Sequence, residues 1–452
     1  MRQKTILSVT VSVMLISQCC ACASQKDATM DFHAASRSAR PTETPMHLTI
    51  QEIQEMQDRQ NMANIPEIQS IQGIHNVQAT NGAPMITYTA LTSPVALVFY
   101  TEEQSTAIRD HTIYTNRCVY PIVTIDGNES AAAKINADIQ KRVDAYQASA
   151  NTFSFAEDDY QHYVEEDFLP SYYDELIFTA ARADNRVISF LVMDQSYGGG
   201  AHGMDYYTGL NYDTKTGERI SFSELSDNAD RFRQDTLAYH QSLAATASFQ
   251  SIMYNDATDD LEQVLYQDGR WYFSMSGLVF FSNPYELGAF YAGEIEFTIP
   301  YDDLAEMSLN EEYAYEGIPL IHLQSEEPYF YDINGDGIEE EIQFYIDNMG
   351  SSGTDLHFFI NGADFATTHK ELAEQFSDNY YISCWAKCFL YDIDESDDLI
   401  EILFQMNYSD WDEDILAPHT FFYRYEKGGS LTYLGKLETT ANAPTTLFHF
   451  VP

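Results

Sequence analysis

Residues 188–222 read ISFLVMDQSYGGGAHGMDYYTGLNYDTKTGERISF. An apolar, strand-like run breaks at three consecutive glycines, passes through a single histidine, and resumes as a second strand-like run rich in Tyr. Gly198-Gly199-Gly200-Ala201-His202-Gly203 satisfies G-x-G-x-x-G, which in a dinucleotide site opens a helix that cradles pyrophosphate. The segment after Gly203 favours extended chain, and Thr214-Lys215-Thr216-Gly217 reads as a turn, so that helix is missing and a nucleotide site is set aside. Two readings of the block stay open. It is a wide strand connection whose glycines permit positive φ, or a backbone kept bare so that Tyr197 and His202 face a partner.

Working outward, a strand is expected near Cys118–Ile125, then a helix over Ser130–Tyr146. Ile135, Ile139, Val143 and Tyr146 recur there at the spacing that buries one helical face. Strands near Glu175–Arg182 and Arg186–Met193 lead into the glycine block. Beyond it a helix is expected with Ser223 as its N-cap, another around Asp259–Tyr266, and a hairpin over Trp271–Phe281. This order gives an α+β fold with antiparallel sheets and packed helices, in two coupled units, 85–205 and 206–308. An acidic β-rich domain, 309–452, follows them.

Three motif blocks in this region resemble a known family. Tyr197-Gly198-Gly199-Gly200-Ala201-His202-Gly203 is similar to the Tyr-x-Gly-Gly-Ala-His-Gly signature of the extracytoplasmic region of RsiV-type anti-sigma-V factors and the N-terminal region of the peptidoglycan deacetylase PdaC. Upstream, Tyr120-Pro121 with Lys134-Ile135-Asn136 and Ile139 matches that family's strand-then-helix opening. Downstream, Phe281, Asn283-Pro284-Tyr285-Glu286-Leu287 and Ala292-Gly293 match its aromatic Pro-Tyr-Glu loop. The resemblance runs over about 114–304 and departs at Ala289-Phe290, where the family commonly has Pro-Tyr. It implies a surface that captures lysozyme, formed by Tyr197, Gly198, Gly199, Gly200 and His202 with Pro284, Tyr285, Phe290 and Tyr291. Only five residues precede Ile6 and no deacetylase metal site is recognisable, so neither sigma sequestration nor PdaC-type catalysis is expected.

Met1-Arg2-Gln3-Lys4, the apolar run Ile6–Ser17 and the small-residue region 18–24 read as a signal peptide, residues 1–23. The apolar run is shorter than the roughly 18 residues that span a bilayer. Processing before Cys22 would leave a lipid-anchored protein on the outer face of the cell membrane, and processing within Ala21-Cys22-Ala23 would release a secreted one. The polar stretch 24–84 then reads as a flexible tether. Cys384 and Cys388, if in one strand, lie about 13 Å apart at roughly 3.3 Å per residue, beyond disulfide reach.

The chain carries 70 acidic against 23 basic side chains, a formal net charge of −47. Such a field argues against nucleic acid and favours cationic proteins and divalent metals. From Met307 onward there are 28 acidic and 5 basic residues, together with a faint repeat in which Phe330-Tyr331-Asp332-Ile333-Asn334 answers Leu390-Tyr391-Asp392-Ile393-Asp394. Within the first copy, Asp332, Asn334, Asp336, the Ile338 carbonyl and Glu340 occupy loop positions 1, 3, 5, 7 and 9, and Gly337 allows the sharp turn. Hard calcium takes such an oxygen set, and the loop resembles those of integrin-type and dockerin-type repeats. The second copy lacks the glycine and offers Ile400 at position 9.

No Gly-x-Ser-x-Gly elbow, His-Glu-x-x-His or phosphate loop is present, and in so acidic a chain paired carboxylates single out no catalytic pair. The expectation is an exported, lipid-anchored envelope protein that captures a cationic lysozyme-type muramidase or a wall ligand. A cell-wall glycan-processing enzyme or accessory, and a calcium-stabilised adhesive or structural module, stand as alternatives.

Overall fold

The computed structural model describes residues 94–438 apart from 109–110, 150–152, 164–170, 200–201, 318, 325–326, 349–353, 366–379, 393–397 and 411–416. The expected signal peptide, tether and Cys22 lie outside the described residues. The architecture is α+β with antiparallel sheets, as expected.

The first sheet is formed by β1 (Val95–Ile108), β2 (His111–Ile125), β3 (Tyr172–Ala183), β4 (Val187–Tyr197) and β5 (Met204–Asp213), in that spatial order. All its neighbours are antiparallel except β2 and β3, which run parallel because the chain crosses between them through α1 (Glu129–Ser149) and α2 (Phe153–Tyr163). The periodic positions of α1 do what their spacing requires: Ala131, Ala132, Ile135, Ile139, Val143 and Tyr146 are buried on the sheet. Asn128 caps the helix, its Oδ1 accepting the Ala131 amide at 3.3 Å. The boundary expected between 205 and 206 runs through β5, which pairs with β4 along its length.

The second unit packs α3 (Ala229–Ala244), α4 (Ala247–Ile252), α5 (Ala257–Leu265) and α6 (Tyr301–Glu306) with the antiparallel sheet β6 (Trp271–Phe273), β7 (Gly277–Ser282) and β8 (Ile295–Pro300). The start of α3 differs from expectation. Ser221, not Ser223, opens a single 3-10 turn over Phe222–Glu224, and Asn228 caps α3 by accepting the Arg231 amide. The two sheets meet where β5 passes β6. Gly209 donates to the Gly269 carbonyl at 2.7 Å, and a Cβ at Gly209 would lie 2.0 Å from the Trp271 carbonyl oxygen, so only glycine fits. Arg182, fully buried, binds Asp184, the Tyr301 hydroxyl and the carbonyls of Tyr313 and Ala314, clamping the segment that leaves the second unit.

The C-terminal part begins with β9 (Ile321–Leu323). The meander β10 (Tyr329–Tyr331), β11 (Glu340–Asn348), β12 (Thr354–Ile360) and β13 (Ala363–Asp364) forms one sheet. The meander β14 (Tyr380–Tyr391), β15 (Glu401–Asp410), β16 (Ala417–Tyr425) and β17 (Leu431–Glu438) forms the other, with β9 added beside β14. The repeat is visible in the registers, since Tyr331 faces Glu340 as Tyr391 faces Glu401. Ile342, Phe344 and Phe358 from one sheet and Phe404, Phe421 and Tyr423 from the other share one core. Cys384 and Cys388 share strand β14, and Cys388 is a buried free thiol. No helix among the described residues is long and apolar enough to cross a membrane.

Candidate partner-binding face

β4 ends at Tyr197, and Gly199 carries the turn that follows at φ +95°, where an added Cβ would lie 2.7 Å from the Tyr172 hydroxyl. The chain then presents His202, exposed, before β5 begins. Its Nδ1 lies 2.7 Å from the Gly203 carbonyl oxygen, which only accepts, so the proton of a neutral ring sits on Nδ1 and Nε2 accepts. That acceptor meets the Tyr285 hydroxyl at 2.9 Å. Phe290 stacks on the imidazole with ring centroids 3.6 Å apart, and Tyr285 lies 5.6 Å from Phe290. The glycine block and the Pro-Tyr-Glu loop therefore meet in a trio of rings, although their sequence separation is 83 residues.

Tyr285 sits at φ +71°, a left-handed conformation rare for a bulky residue. The loop holds it there through its neighbours. Glu286 accepts the Asn283 amide at 2.8 Å and Arg270 Nη2 at 2.6 Å, while Asn283 Oδ1 accepts the Tyr207 amide at 2.6 Å. The result is an exposed ring on a fixed base, with 48% of Tyr285 in contact with solvent. Next to it, Arg270 also lies 5.1 Å from the ring centroid of Tyr206, which is 54% exposed, as Met204 is 53% exposed on the same face of β5. Burial pushes the carboxyl of the intervening Asp205 above its ordinary range, with His202 opposing.

The expected site residues thus separate. His202, Tyr285 and Phe290 come together. Tyr197 instead packs against Tyr172 edge-on at 5.6 Å and against Tyr173 at 5.9 Å, half-buried over the first sheet. Pro284 is buried, so it shapes the loop and offers no contact surface, which corrects its assignment to the partner-facing set. Gly198 is exposed, whereas Gly200 and the Tyr291 side chain lie outside the described residues. Met204 and Tyr206 belong to the face, with the buried Arg270 beneath the Tyr206 ring, but none of the three was singled out from the sequence. The alternation Met204, Asp205, Tyr206, Tyr207 carried the signal for the first two.

In the acidic loop, Asp332 accepts the amides of Asp336 at 3.0 Å and Gly337 at 2.7 Å, and Asp336 accepts the Ile338 amide at 2.9 Å. Glu340, buried, accepts the Ile333 amide and Asn334 Nδ2. Burial raises its carboxyl above the ordinary range, and the negative charges of Asp336 and Asp332 add to that. Among the described residues no cluster of three or more His, Cys, Asp or Glu side chains is arranged to hold a metal ion. The carboxylates converge on loop amides, leaving lone pairs on each oxygen. In the second copy, where the connection is one residue longer, Glu401 faces Tyr391, is fully buried and is taken by Arg424, whose Nε donates at 2.8 Å.

The sequence profile of the DUF3298 family, described as a protein of unknown function, matches residues 230–302. No protein of curated function matches the chain. A DUF3298-family protein from Bacteroides fragilis is similar in structure at 15% identity, with 49% of this chain and 96% of that one covered and a TM-score of 0.35. A DUF3298-family protein from Pseudomonas aeruginosa is similar at 12% identity, with 50% and 98% covered and a TM-score of 0.35. The matched residues, 230–302, run from α3 through β8 and include the Pro-Tyr-Glu loop, so this part of the chain is similar to a DUF3298 domain.

Proposed function

We propose that this is an exported, lipid-anchored binding protein of the cell envelope, which captures a cationic lysozyme-type muramidase on the face formed by His202, Tyr285 and Phe290. The observation that carries the reading is the meeting of the glycine block and the Pro-Tyr-Glu loop in one exposed ring cluster on a rigid base. Exposed aromatic rings held in place lose little entropy on binding and supply most of an interface's affinity. A net charge of −47 draws a basic enzyme toward the surface and raises the encounter rate. Cys22 is the proposed lipid attachment point, and metabolic lipid labelling is lost in Cys22→Ala on this reading.

The full chain should be retained on an immobilised lysozyme-type muramidase at low salt and, more weakly, at physiological salt. Passage through the column at both ionic strengths contradicts the proposal. Calcium is proposed at Asp332, Asn334, Asp336, the Ile338 carbonyl and Glu340, because the donors are all oxygens gathered within one short turn. There it stabilises the C-terminal β part and takes no role in capture.

A further inference from the structure

Strand β14 has two faces with different tasks. Cys388 and Leu390 enter the core between the two C-terminal sheets, whereas Lys387 and Phe389 point the other way, toward the DUF3298-like domain. His322 of β9 pairs with Phe389 and stacks on it at 4.7 Å. Opposite them, on and just before β8, stand Glu296 and Glu294. Lys387 Nζ binds Glu296 Oε2 at 2.6 Å, and Tyr272 of β6 donates to Glu296 Oε1 at 2.7 Å. Glu294 faces Glu296, Lys387 and Asp205, and it shares a hydrogen bond with Tyr207 of β5. Its Oε2 is buried with no hydrogen-bond partner.

This junction contains one more carboxyl than its lysine can neutralise. Burial acts most strongly on Glu296 and raises it, but the charge and hydrogen bond of Lys387, with His322 and the Tyr272 hydroxyl, together outweigh that effect and hold the carboxyl below its ordinary range. The same lysine remains charged, because Glu296 and Glu294 outweigh its desolvation. Glu294 receives what is left. Burial first, then the neighbouring Glu296 charge, push its carboxyl up to about 8. Burial lowers His322 to about 4, so the imidazole is neutral in the closed junction.

We infer that this junction is a proton-operated latch: protonated Glu294 lets β9 and β14 of the C-terminal part close on β8 of the DUF3298-like domain, and its ionisation loosens that contact. The sign follows from which state holds the proton. Opened to water, Glu294 returns to an ordinary carboxyl near 4.5, so from that value up to about 8 only the closed state holds the proton. Closure is therefore favoured at low pH and is lost as pH rises through about 8. His322 acts oppositely, since the open state takes up a proton below 6.5 and the closed state only below about 4. The two effects cancel between roughly pH 4.5 and 6.5, and Glu294 alone governs the range above.

Hydrogen exchange of the full chain, with rates corrected for the intrinsic pH dependence of amide exchange, reads the latch directly. Protection of the amides of 321–323 and 386–390 should fall roughly tenfold from pH 6.5 to 8.5 in the wild type. It should stay level in Glu294→Gln. In His322→Phe it should continue to rise as the pH drops from 6.5 to 5. Protection in α3 stays constant from pH 6.5 to 8.5. Equal wild-type protection at pH 6.5 and 8.5 overturns the inference whether or not either variant folds, and so does a Glu294→Gln profile that declines like the wild type.

Discussion

Tyr285 shows how one residue can be poor for stability and good for a surface. Its φ of +71° places a bulky side chain where glycine is preferred, and such conformations cost about 1–3 kcal/mol when the surroundings impose them. Tyr285→Gly should therefore melt at or above the wild-type temperature while losing muramidase capture. A matched loss of both would show that the ring serves folding instead. Arg182 is the opposite case. It is fully buried against Asp184 and two carbonyls, so Arg182→Met strands an acid and two acceptors and should destabilise by about 3–5 kcal/mol in denaturant titration. At this scale the sequence was informative about His202 and Tyr285, whose unusual settings mark them out. It was silent about Arg182, Lys387 and Glu294, because among so many charges nothing local distinguishes a buried one. Only the pairing of distant strands does that.

Among the elements, α1 was legible because its burial follows a single periodic stripe against one sheet. The start of α3 was not. Ser223 has the right side chain for a cap, but the chain first makes a 3-10 turn opened by Ser221, and Asn228 occupies the capping geometry five residues later. The C-terminal repeat was legible because each copy brings its own strand pair, Tyr331 facing Glu340 and Tyr391 facing Glu401, with the second connection one residue longer. Two element-level predictions follow from packing. Gly209→Ala would drive a methyl into the Trp271 carbonyl and separate β5 from β6, at a cost of about 3 kcal/mol or more in unfolding free energy. In α3, His240 is buried between Tyr266, Phe280 and Phe297, and burial lowers it to about 3. The unfolded chain takes up its proton below 6.5 while the folded one does not, so the domain should lose stability as pH falls from 6.5 toward 3. His240→Phe should flatten that part of the stability profile.

For the molecule as a whole, the proposed capture assigns attraction at long range to the acidic field and grip at short range to the ring cluster, with a β-rich part joined through the Glu294 junction. Charge and composition indicated the first of these from the sequence. The second needed the fold, which brings together residues 83 positions apart. Removing calcium with a chelator should lower the melting temperature of the C-terminal part and leave the DUF3298-like domain unchanged, and an unaltered melt removes calcium from the account.

The most direct measurement is the affinity of the full chain for a basic lysozyme-type muramidase at physiological salt, compared between the wild type and Tyr285→Ala/Phe290→Ala. Loss of the central rings should weaken binding by at least about 2 kcal/mol, roughly thirtyfold, mostly through faster dissociation. Equal affinities for the two proteins, or no binding by the wild type, would contradict capture at this face.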